Sequence, residues 1–72
     1  MSRSGPVATL WRLSWDESRL SCLVYRTSDG MRLTIESADA VIFSERFDLQ
    51  PRELARACAL RDALKRRGWR ES

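Results

Sequence analysis

The chain has 72 residues, 43% hydrophobic and 32% charged, with a formal charge of +3. That is the composition of one small globular domain, expected to span residues 1–72 with an ordered core of about 7–69, and it excludes collagenous and low-complexity classes. There is no histidine, and Cys22 and Cys58 are too far apart in sequence to read as a metal-ligand pair, so no metal or cofactor is expected.

The first run, Val7 to Trp15, alternates Val7, Thr9, Trp11, Leu13 and Trp15 against Ala8, Leu10, Arg12 and Ser14. Asp16-Glu17 closes it. The second, Leu20 to Arg26, sets Leu20, Cys22 and Val24 on one side and Ser21, Leu23 and Tyr25 on the other. Thr27-Ser28-Asp29-Gly30 follows, where Asp-Gly supplies the positive φ of a tight hairpin. The third run, Met31 to Glu36, alternates Met31, Leu33 and Ile35 with Arg32, Thr34 and Glu36. A turn at Ala38-Asp39 leads to the fourth, Ala40 to Phe47.

Two-residue turns predict the pairs Leu13 with Leu20, Trp11 with Cys22, Val24 with Leu33, and Ile35 with Ile42. One face thereby collects Trp11, Leu13, Leu20, Cys22, Val24, Met31, Leu33, Ile35 and Ile42. Asp48 is the expected N-cap of a helix running to about Arg67, with Pro51 in its first turn. Its apolar arc holds Leu54, Ala57, Cys58, Leu60, Arg61 and Leu64. Gly68 reads as the glycine of a Schellman ending, with Trp69 folding back on Leu64. The expected fold is α+β, a four-stranded antiparallel meander followed by one helix on one face (β-β-β-β-α).

A single helix leaves the other sheet face open. The same pairings bring Leu10, Leu23, Tyr25, Val41 and Phe43 together there, rimmed by Arg12, Arg32, Glu36 and Glu45, an apolar centre with a charged edge. So small a core supplies only ~3–5 kcal/mol, so a second chain on this face is an expected stabiliser. The expectation is a non-catalytic interaction module, a homodimer or a binder of another protein.

The charge is uneven: residues 1–47 carry six arginines and six acidic residues, residues 48–72 seven basic against four acidic. Arg52, Arg56, Arg66, Arg67 and Arg70 form the alternative site, a nucleic-acid-binding stripe on the helix. A third alternative is an inhibitor or antitoxin-like protein with one specific partner. Catalysis has no histidine to use, and both cysteines are expected to point into the core as small hydrophobes. Trp11 and Trp69 read as core and edge cover, Trp15 as partly exposed. With no apolar run resembling a signal peptide or membrane span, a cytoplasmic location with reduced thiols is expected.

Trp11-Arg12-Leu13 in the first strand, Cys22 in the second, the hairpin glycine Gly30 and the Gly68-Trp69 ending together resemble a family of short bacterial proteins to which no activity is attached. The resemblance spans nearly the whole chain and implies a bacterial origin.

Overall fold

The computed structural model describes residues 5–28, 30–48 and 50–71. Strands β1 (Ala8–Trp15), β2 (Ser18–Thr27), β3 (Gly30–Glu36) and β4 (Val41–Phe47) form the expected meander, and helix α1 (Pro51–Arg66) packs on one face. A two-residue strand, β5 (Arg70–Glu71), then returns to the sheet beside β1, giving the order β4-β3-β2-β1-β5. Nothing in its sequence marks β5 as a strand; it follows from where the helix ending delivers the chain.

The second hairpin has the predicted register, and the first has it from Trp11 to the turn. Asp16 takes φ of 59° in the β1–β2 turn, and Leu13 lies opposite Leu20. Thr27 faces Gly30, whose φ is +140°, and Val24 faces Leu33. Asp29, read as part of that turn, lies outside the described residues, as do Met1 to Ser4.

The fourth strand departs from expectation. Its turn forms as expected, with Ser37 N–H donating to the Ala40 carbonyl at 2.8 Å and Glu36 opposite Val41. A β-bulge at Ile42 then shifts the ladder by one, so that Ile35 faces Phe43 rather than Ile42, and Met31 faces Phe47. The hydrophobic pattern explains the shift. An unbulged strand would turn Ile42, Ser44 and Arg46 toward the core, whereas the bulge turns Phe43 and Phe47 inward and leaves Ile42 58% exposed. A second bulge in β1 sets Thr9, not Leu10, opposite Leu23.

The core comprises Trp11, Leu13, Leu20, Cys22, Val24, Leu33, Ile35, Phe47 and Ala57, with Leu10, Met31, Phe43, Leu60, Leu64 and Trp69 packed against it. The helix is seated through Ala57, Leu60 and Leu64. At about 100° per residue Cys58 is turned well away from that stripe, so it is exposed rather than in the core, and Leu54 is also exposed. Trp11 bridges the layers, its indole Nε1–H donating to the Ala57 carbonyl at 3.0 Å.

Gln50, not Asp48, is the N-cap, with extended backbone and no side-chain capping bond; Pro51 then occupies N1, where its missing N–H costs no helical bond. The Schellman ending forms as expected. Trp69 N–H reaches the Leu64 carbonyl at 3.2 Å, Gly68 N–H reaches Lys65 at 3.1 Å, and Gly68 has φ of +121°. Trp69 meets Trp15 edge-on, ring centroids 5.7 Å apart, and Trp15 remains half-exposed.

Candidate functional site

With the helix on one face, the opposite face of the sheet is the broad open surface. Its side chains follow from register, since cross-strand partners share a face. Arg70, Ser14 and Arg19 form one row across β5, β1 and β2. Arg12, Ser21, Glu36 and Val41 form the next, then Thr9, Leu23, Thr34 and Ser44. Tyr25, Arg32 and Arg46 form the last.

This face is less apolar than the sequence suggested. Of the five expected residues, Leu23, Tyr25 and Val41 lie on it. Leu10 is the β1 bulge and Phe43 is carried across by the β4 bulge, and both pack against the core instead. The assumption of unbroken ladders put them together. Of the expected rim, Arg12, Arg32 and Glu36 lie on the open face, whereas Glu45 lies on the helix side, where it accepts from Arg56 at 3.1 Å.

A hydrogen-bonded cluster occupies the middle of the open face. Tyr25 donates its hydroxyl to Glu36 Oε2 at 2.9 Å, and Thr34 Oγ1 donates to the same oxygen at 2.9 Å. Tyr25 lies opposite Arg32, four residues before Glu36 on β3, so its ring must lie along the sheet across the Leu23–Thr34 pair to make that bond. Thr34 is accordingly only 6% exposed although no helix covers it. The bond to the Glu36 carboxylate, with lesser help from desolvation, raises the Tyr25 pKa. Arg32 donates to Ser44 Oγ at 2.9 Å.

Charge separates the two sides. Among the described residues, the strand positions of the open face carry five arginines, Arg12, Arg19, Arg32, Arg46 and Arg70, against one glutamate, Glu36. Among the described residues, the guanidinium groups of Arg12, Arg19 and Arg70 have no ion-pair or hydrogen-bond partner. Serines 14 and 21 between them leave a shallow depression of about 510 Å³ lined also by Arg12 and Arg19, with Asp16 at its turn end. On the helix side Arg56 meets Glu45, Arg61 meets Asp62 and Glu71, and Lys65 meets Glu71, while Arg52, Arg66 and Arg67 have no ion pair among the described residues.

The basic residues singled out from sequence are therefore divided. Arg52, Arg56, Arg66 and Arg67 lie on or at the end of the helix, while Arg70, through β5, joins the open face. The strand arginines were missed as a group. Arg12 and Arg32 stand at outward positions in the alternation, but Arg46 joins them only through the β4 bulge, so the group emerges only when the rows are assembled.

Cys22 is fully buried, and burial pushes its thiol up to about 11, aided by the nearby Cys58. Cys58 is exposed on the helix. No cluster of three or more His, Cys, Asp or Glu suited to a metal ion occurs among the described residues. No helix there is long and apolar enough to cross a membrane.

Comparison with protein-family models, with curated proteins and with solved structures finds no match for this chain.

Proposed function

We propose that the chain is a small non-catalytic binding module whose working surface is the open sheet face and whose partner is nucleic acid. The observation that supports this reading is the excess of five arginines over one glutamate at the described strand positions of that face, set against a helix side where Glu45, Asp62 and Glu71 pair with Arg56, Arg61 and Lys65. A polyanion neutralises such a surface and releases counterions as it does so. The competing reading, a homodimer through the same face, draws on Leu23, Tyr25 and Val41. Two copies face to face would also oppose two sets of guanidinium groups, a like-charge arrangement that disfavours association.

The test is fluorescence anisotropy with a labelled oligonucleotide across a salt series. Neutralising three to five phosphates gives a log–log salt slope of about −2 to −4. Replacing Arg12 and Arg32 by Ser reduces that slope, while replacing Arg52 and Arg67 on the helix leaves it nearly unchanged. Absence of binding at about 50 mM salt, or equal losses from the helix pair, overturns the proposal. A dimer mass by light scattering that reverts to monomer in Leu23→Asp favours the homodimer instead.

A further inference from the structure

Resting on that reading, we infer that the Tyr25 ring is a stacking platform for an unpaired base, so that the nucleic acid recognised is single-stranded. Three observations converge on this residue. Its hydroxyl is tethered to Glu36 at 2.9 Å, its register position opposite Arg32 forces the ring to lie along the sheet, and Thr34 beneath it is closed off from water. The ring therefore turns one face to the sheet and the other to solvent, and Tyr25 is only half-buried as a result.

A tyrosine anchored this way loses little freedom on meeting a base, because the cost of fixing its side chain is already met by the hydrogen bond within the protein. Every base has a π-face, so stacking selects for unpaired bases without selecting sequence. Arg32 lies opposite Tyr25, and Arg19 and Arg12 lie further along the same face; Arg19 is six positions from Tyr25 along β2, about 20 Å of extended strand. A single strand laid along β2 would put a base on Tyr25 and its phosphates within reach of these guanidinium groups. Stacked base pairs of a duplex present no free base face to the ring.

The experiment compares an unstructured single-stranded oligonucleotide with its own duplex, on the full chain and on Tyr25→Leu and Tyr25→Phe. Tighter binding of the single strand is expected. Tyr25→Leu weakens it by roughly ten-fold or more with the salt slope unchanged, because stacking releases no counterions; Tyr25→Phe, which keeps the ring and loses the tether, gives a smaller loss. Circular dichroism verifies that each variant is folded. Should Tyr25→Leu unfold, the wild-type ring protons decide: stacking moves them upfield on addition of single strand, and their failure to move overturns the inference. A folded Tyr25→Leu that binds like wild type, or a duplex that binds more tightly than the single strand, overturns it too while leaving the nucleic-acid reading intact. Loss of all binding to both forms by the wild-type chain removes that reading itself.

Discussion

The two faces of this sheet are built from the same five strands and differ in how their polar groups are satisfied. The covered face is mostly apolar, and the two glutamates at its margin are matched: Glu45 by Arg56, and Glu71 by Arg61 and Lys65. Among the described residues the open face ties its one strand glutamate to a tyrosine and a threonine and leaves Arg12, Arg19 and Arg70 without an ion pair. Such exposed ion pairs contribute little stability, so the matching on one side and the excess on the other are better understood as shaping the surface field than as holding the fold together.

The sharpest way to break the comparison is to truncate equivalent leucines on either side of the sheet. Leu13→Ala removes a side chain with no exposure and is expected to lower the unfolding free energy by about 2–5 kcal/mol. In a domain of this size that approaches the whole stability. Leu23→Ala, half-buried on the open face, is expected to cost about 1 kcal/mol. Urea denaturation of both reads the difference, and equal losses would mean the open face is as much a core as the covered one.

The β4 bulge gives the next contrast. Phe43→Asp is expected to destabilise by about 2–3 kcal/mol because the ring packs against the core. Ile42→Asp, one residue away, should stay within about 0.5 kcal/mol. The opposite ranking in thermal denaturation would restore the unbulged register.

Cys22 makes the covered face sensitive to alkali. The folded chain holds the thiol proton more tightly than the unfolded chain, so the stability this confers is full below pH 9 and is lost as pH rises to about 11. The loss is of the order of 2 kcal/mol. Denaturation midpoints across that range should fall for wild type and fall less for Cys22→Ala.

The smallest effect is at the crossover between the sides. Gly68, at φ of +121°, directs the chain from the helix to β5 and delivers Arg70 to the open face. A Cβ there would meet only the Trp15 ring at an ordinary 3.8 Å, so the cost of Gly68→Ala is backbone strain of about 1 kcal/mol, visible as a lowered melting temperature.

Much of the fold was legible because alternation and turn chemistry agree in the first three strands, where Trp11, Leu13, Leu20, Cys22, Val24, Leu33 and Ile35 are all buried as expected. Agreement failed in β4, where turn length argued for Ile42 inward and the Phe43–Phe47 spacing argued for the other phase. The hydrophobic pattern prevailed and the backbone absorbed the mismatch. Cys58 was misjudged because an arc of apolar residues does not say which part of it touches the sheet. β5 and the assembled arginine face were hidden for a different reason: both depend on strands being neighbours in space. The open face was recognisable as uncovered, but its apolar character was overestimated by the two residues that the bulges remove.

The residue at the β4 bulge also separates two kinds of change that a hairpin normally couples. In an unbulged pair, any odd change in loop length inverts every side chain that follows. Here Ile42 works as a phase corrector between the Ser37–Ala40 loop and the inward phenylalanines. The loop can keep its compact hydrogen-bonded form while the strand beyond it keeps its own inward face. Loss of the bulge with Ile42 kept in the ladder would present Phe43 and Phe47 to water and turn Ser44 and Arg46 toward the core, whereas deletion of Ile42 itself would leave a regular ladder with both phenylalanines still inward.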